Sequence, residues 1–131
     1  MRQLKSEWDL AEMLRAENAA LFVFVDWSEY ARCGKGIFEE AEAEFAAASS
    51  RPISCWIVDV SSIDAPPNPA LYQWLKAQEQ KGKVRVLPNI AMGNGSVIWL
   101  KRGEAVRFEP NAARSGVGGL AQRTAEILAE S

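Results

Sequence analysis

The chain has 131 residues, 48% of them hydrophobic and 24% charged, with a net charge of −2. One domain of this length can bury about two-thirds of its unfolded surface, whereas two would each be too small to stand alone. With 17 acidic against 15 basic side chains there is no cationic excess to hold a phosphate backbone, so no nucleic acid is expected as a partner.

The opening residues, Met1 to Trp8, carry early positive charges but no apolar stretch behind them, so no secretory signal is read. The longest apolar run, Ala19 to Val25, is far shorter than the roughly 20 residues a bilayer-spanning helix needs. No membrane partner and a cytoplasmic setting are the expectation. Two cysteines, Cys33 and Cys55, suit free thiols there. Histidine is absent. That removes the usual general base near neutral pH, the commonest nitrogen ligand for metals, and every Ser/His or Cys/His couple. Two cysteines alone cannot complete a four-ligand zinc site, and no cofactor is expected.

In chain order, residues 2–5 suit a short edge strand. Ser6 reads as a helix N-cap, with Trp8, Leu10, Ala11 and Leu14 as the helical stripe up to about Glu17. Leu21 to Trp27 is short, apolar but for Asp26, and rich in Val and Phe, as a buried parallel strand should be. A polar loop follows, then a helix over about 34–49, with Ile37, Phe38, Ala41, Phe45 and Ala48 on its apolar face. Glu39, Glu40, Glu42 and Glu44 mostly cover its other side. Ile53 to Val60 is a second buried strand, and Pro66-Pro67 closes the loop after it. Asn68 and Pro69 suit the cap and first turn of a helix whose inner stripe is Leu71, Trp74, Leu75 and Gln78.

Gly82 stops that helix. Over 83–95 the pattern is weakest, with Val84 and Val86 as a candidate short strand before Pro88. Ser96–Leu100 and Ala105–Phe108 read as a hairpin turned by Lys101-Arg102-Gly103-Glu104. A last helix runs from about Gly118 to Ala129, carrying Leu120, Thr124, Ile127 and Leu128. The order β-α-β-α-β-α-β-β-α predicts an α/β domain: a mixed sheet covered by helices on both faces, joined by right-handed crossovers.

This order resembles the thioredoxin fold along nearly the whole chain. Phe24-Val25-Asp26-Trp27-Ser28-Glu29-Tyr30 looks like that family's strand leading into its active loop, and Ser96 to Glu104 like its penultimate strand and Lys-Asn-Gly-Glu-type turn. The resemblance implies a thioredoxin-like three-layer α/β/α sandwich. The stretch Ser61 to Asn94 is longer than the family's counterpart. Counting on from Trp27, the family's Cys-Gly-Pro-Cys falls on Ala31-Arg32-Cys33-Gly34, so neither thiol position holds a cysteine. The family's cis-proline, which shapes the groove where a client backbone pairs, falls on Gly95. Val25 takes the place of the buried acid that assists thiol chemistry, although a one-residue slip would put Asp26 there.

Within that frame Cys33 is the one candidate reactive group. It is expected at or just before the start of the second helix, where open amides and the helix dipole favour a thiolate and Arg32 adds positive charge. Read with an insertion in the loop, Cys33-Gly34-Lys35-Gly36 also suits a monothiol motif. The blander reading is a spare loop cysteine. Cys55 is expected as a packed core thiol at the far end of the sheet. Six residues of strand span about 20 Å, well beyond the roughly 7 Å between Cα atoms that a disulfide tolerates. Trp27, Tyr30 and Arg32 are expected around the loop at the strand ends, where open α/β sheets place their binding sites. The alternative is that Trp27 packs against the following helix. Gly116-Val117-Gly118-Gly119-Leu120-Ala121 matches a loose dinucleotide pattern, but no βαβ unit follows, so it reads as a helix entry.

These residues point first to a domain without dithiol chemistry that binds another protein through Trp27, Tyr30, Arg32, Cys33 and Gly95. The alternative is a monothiol enzyme or sensor using Cys33. A third possibility is a small-ligand binder using the long segment after Ser61.

Overall fold

The computed structural model describes residues 1–48, 51–61 and 69–130. In chain order the elements are β1 (Arg2–Gln3), α1 (Glu7–Arg15), β2 (Asn18–Phe24), α2 (Glu29–Ala48), β3 (Ser54–Asp59), α3 (Pro69–Gln80), α4 (Val86–Met92), β4 (Ser96–Lys101), β5 (Glu104–Glu109) and α5 (Ala112–Ala129). The described strands form one sheet in the order β1-β3-β2-β4-β5. β1, β3 and β2 run parallel, and β4 and β5 pair antiparallel to their neighbours. The expected parallel pair sits at the centre, with Ala20 beside Cys55 and Val23 beside Val58. Its first strand starts three residues earlier than the apolar run suggested, because Asn18 already pairs with Lys101.

Alternation along β2 divides the interior in two. Ala19, Leu21 and Val23 face a core built with Leu10 and Met13 of α1, Leu71 and Leu75 of α3, and Val86 of α4. Ala20 and Phe22 face the opposite core, built with Phe38, Ala41 and Phe45 of α2 and with Leu120 and Ile127 of α5. Period-two side chains on a central strand thus feed both faces, giving three layers.

Caps fix the helix starts. Ser6 and Asp9 form a reciprocal capping box on α1, as its sequence position suggests. The stripe of α1 differs from the expected one. Leu10 and Met13 face inward, whereas Trp8 is 83% exposed and Ala11 also faces solvent. The hairpin turns on Arg102 (φ 51°) and Gly103 (φ 81°), the left-handed pair a two-residue turn requires. Trp74 Nε1 of α3 donates to Gly103 O at 2.9 Å and holds that turn down.

Two expectations are corrected. Val84 and Val86 do not form a strand: both are buried under α3 and β4, and Val86 opens the short helix α4. Burial of both had mimicked strand alternation. α5 begins six residues earlier than expected, at Ala112, because Asn111 Oδ1 accepts from Arg114 N at 3.1 Å and caps it. Gly116, at φ 77°, kinks α5 two residues before the expected start at Gly118, so the glycine-rich motif lies inside the helix. Pro66-Pro67 and Asn68 lie outside the described residues, as does the side chain of Ala48.

Candidate functional site

The site is assembled where β2 ends and α2 begins. Beyond Phe24 the chain keeps Val25 buried, then turns through Asp26 and Trp27. The turn is tied to the end of β3: Asp26 N donates to Ser61 Oγ at 2.8 Å, and Ser61 N donates to Asp59 Oδ1 at 2.9 Å. Arg32 folds back, its Nη1 donating to Asp26 O at 2.6 Å.

Ser28 starts α2. Its carbonyl accepts from Arg32 N at 3.1 Å, and its Oγ accepts from Ala31 N at 3.4 Å, which satisfies amides the first turn leaves open. The same hydroxyl donates to Gly93 O at 2.5 Å. One buried serine therefore couples the start of α2 to the loop before β4. That loop begins where α4 ends, with Gly93 left-handed (φ 69°) and its N–H donating to Ile90 O.

Two close approaches define the surface. A Cβ on Gly93 would stand 2.7 Å from Trp27 Cζ3, so the Trp27 ring lies directly against that glycine. Trp27 remains 49% exposed, and Tyr30, one position past the first residue of α2, is 63% exposed. Below them Gly95 (φ 72°) packs against α2. A Cβ there would stand 2.9 Å from Ala31 Cα and 3.2 Å from Phe22 Cζ. Gly95 O accepts from Ala112 N at 2.9 Å, which draws the start of α5 to the same place.

An open cleft of about 780 Å³ runs between these parts, lined by Tyr30, Cys33, Asn94, Asn111 and Arg114 among others. Cys33 is exposed in it. It is not at or before the helix start, however. α2 begins at Glu29, so Cys33 stands in its second turn, beyond the open amides at the entrance. Ser28, not a residue of the Ala31–Gly34 segment, occupies the capping position, and Ala31 lies three residues on with its side chain buried. The positions at the helix entrance, Ser28 and Ala31, thus hold serine and alanine.

Cys55 is buried on β3 and unpaired. Burial, aided by the negative charge of Glu42, pushes its thiol from 9.0 up to about 12. Val25 is buried and Asp26 is exposed, so no carboxylate enters the core at this turn. Among the described residues no three His, Cys, Asp or Glu side chains converge as metal ligands, the glutamates of α2 included. No helix among them is long and apolar enough to cross a membrane.

The structure brings Trp27, Tyr30, Arg32 and Cys33 to one end of the molecule, with Gly95 beneath them. The sequence reading missed Ser28, Gly93 and the 69% exposed Met92 beside it. A serine followed by an acid is a helix-start signal, and Gly93-Asn94-Gly95 is turn chemistry, so both were present in the text.

No model of a known protein family matches the chain, and no curated protein matches it. Solved structures do. Plasmodium falciparum thioredoxin superposes with a TM-score of 0.62 at 12% identity, over 96% of this chain and 98% of that one. The fold is thioredoxin-like. Fasciola hepatica thioredoxin superposes with a TM-score of 0.58 at 16% identity, over 95% and 99% of the two chains. A zinc-bound form of human ERp44 gives 0.63 at 14% identity, and there this chain spans 95% of its own length but 30% of its counterpart. Within the thioredoxin-like fold, the missing pair is a plain fact of the sequence: Cys33 and Cys55 lie on different elements and neither belongs to a Cys-x-x-Cys.

Proposed function

We propose that this thioredoxin-like chain binds another protein through the surface at the start of α2, and that it does not catalyse dithiol–disulfide exchange. The observation that carries the reading is the exposure of two large aromatic side chains, Trp27 at 49% and Tyr30 at 63%, on a turn fixed by Ser28 and Gly93. Rigid, exposed aromatics are the residue types on which interfaces concentrate their energy. Arg32 is the third such type, and Gly95 sets the height of the loop from below. Exchange chemistry needs one thiol to attack and a second to resolve the mixed disulfide. The helix entrance offers neither. The reading includes a reducing, cytoplasmic setting, which two unpaired thiols support.

The test is affinity capture from the native cell with the wild-type chain and with Trp27→Ala/Tyr30→Ala. Partner affinity should fall by at least about 2 kcal/mol. Thermal stability should change only modestly, because exposed side chains contribute little to the core. Equal capture by both proteins, or loss of capture only through unfolding, refutes the reading. An insulin-reduction assay with dithiothreitol should run at the uncatalysed rate.

A second reading is supported by the exposed Cys33 thiol in the 780 Å³ cleft. There Cys33 would attack a small disulfide, displace one thiol and retain the other half as a mixed disulfide. A free thiol from solution would be needed to release it. Mass spectrometry after incubation with oxidised glutathione, compared with Cys33→Ser, decides whether the adduct forms.

A further inference from the structure

β5 is the last strand of the sheet and has β4 on one side only. Among the described residues its outer edge is capped at one place: Gln78 Oε1 accepts from Ala105 N at 3.1 Å. Beyond it the register slips, with Leu100 opposite Ala105 and Trp99 opposite Arg107, which leaves Val106 as a bulge. From there Val106, Arg107 and Phe108 floor an open groove of about 540 Å³, whose other wall is the α3–α4 connection from Gly82 to Arg85. Three basic residues, Lys83, Arg85 and Arg107, line this groove and, among the described residues, no acidic one does. In a chain of net charge −2 that is a local reversal of sign. Arg107 also reaches Glu130 at 3.3 Å, and the nearby Glu104 is held by Lys81 at 2.8 Å, so that acid is already matched.

We propose that the groove takes an acidic, extended segment of a partner protein as an added strand on β5. The unpaired strand edge supplies backbone hydrogen bonds, and the alternation of an extended chain sends every second side chain toward one wall. Lys83 and Arg85 on that wall select carboxylates. A second copy of this chain is a poor occupant, because it would bring two positively charged grooves together. The groove shares no lining residue with the cleft at Tyr30 and Cys33, so this inference stands apart from the proposal above.

The probe is a blocked, fluorescent hexapeptide alternating glutamate and valine, titrated into the full chain and followed by anisotropy. Expected are saturable binding, an affinity drop of about tenfold or more in Lys83→Glu/Arg85→Glu, and amide shifts at Val106 and Phe108. Both substitutions are on exposed side chains, and circular dichroism checks that the variant is folded. Trp27→Ala/Tyr30→Ala should bind the probe like wild type, which separates this result from the fate of the other surface. A peptide N-methylated at alternate amides should lose binding, since its backbone can no longer pair. Any of four results overturns the proposal: no saturation, indifference to charge reversal, equal binding of the N-methylated peptide, or shifts confined to Trp27 and Tyr30. A dimer that dissociates in the charge-reversed variant would also overturn it, in favour of self-association.

Discussion

Gly95→Ala should be one of the most damaging small substitutions in this chain. Two effects add. At φ 72° a residue with a Cβ sits in the left-handed region, at about 1–2 kcal/mol. The new methyl would also stand 2.9 Å from Ala31 Cα and 3.2 Å from the buried Phe22 ring. Ala31 Cα is backbone and cannot rotate aside, so α2 or the loop must move, an overpacking cost of about 1–3 kcal/mol. Loss of unfolded-state freedom returns about 0.4–1 kcal/mol. The net expectation is a destabilisation of about 1–5 kcal/mol. Gly36 is the control: it lies in α2 with no heavy atom within 4 Å of an added Cβ. Gly36→Ala should stabilise by up to about 1 kcal/mol through helix propensity alone. Urea unfolding followed by tryptophan fluorescence measures both. If Gly95→Ala lies within about 0.5 kcal/mol of wild type, the close approach of this loop to α2 is not what shapes the site.

Thr124→Val should cost about 1–3 kcal/mol in the same assay, because Trp99 Nε1 donates to Thr124 Oγ1 at 2.8 Å in the core and would lose its acceptor; Thr124→Ser should keep most of the stability. Iodoacetamide at pH 8 should label Cys33 but not Cys55 in the folded chain and both in urea, as mass spectrometry would show; native labelling of both would contradict the burial of Cys55. The raised Cys55 pKa also sets a pH dependence: between 9.0 and about 12 the unfolded chain gives up this proton and the folded chain keeps it, so stability falls as pH rises through that window. The slope from this group is about 1.4 kcal/mol per pH unit and should disappear in Cys55→Ala. Finally, Ser28→Cys/Ala31→Cys should close a disulfide under oxidised glutathione, since the Ser28 Oγ already reaches the Ala31 amide at 3.4 Å, whereas Ala31→Cys/Gly34→Cys, inside the helix, should not.

The fold was legible where one physical signal acted alone. β2 and β3 are short apolar runs because both faces of a central strand are buried, and the hairpin β4–β5 announces itself by the polar turn Lys101-Arg102-Gly103-Glu104 between two apolar segments. The stripe Leu71, Trp74, Leu75 and Gln78 was legible down to its polar member, since Gln78 is buried by capping the edge of β5 rather than by being apolar. Legibility failed where tertiary packing competed with local pattern. Val84 and Val86 alternate like strand residues, yet both fill the space between α3 and β4, and the chain between them and β4 winds into α4. Trp8 is only two residues from Leu10, which puts it on another face of α1, and it points to solvent while Met13, three residues after Leu10, takes the inward position. At the site, the second helix was expected from about residue 34, whereas Ser28 caps it and Glu29 is its first residue, because a serine cap outweighs the polar, loop-like text that follows it.

That earlier start of α2 changes what its entrance has to do. In a dithiol enzyme the residue at the helix entrance must be free to ionise and to be attacked. Here the entrance residue is spent on structure: Ser28 caps α2 and holds Gly93 through one hydroxyl, and its side chain is buried. Ala31 contributes only the flat backbone against which Gly95 packs. With both positions committed to bringing the α4–β4 loop against α2, the features facing solvent there include the Trp27 ring on Gly93, the Tyr30 ring, and the Cys33 thiol one turn further along. The entrance that carries serine and alanine in place of thiols thus seats the Trp27 ring against Gly93. A ring already seated, as Trp27 is on Gly93, loses less entropy on binding a partner, which is why Trp27, with the exposed Tyr30 beside it, carries the functional proposal and the thiol is second to them.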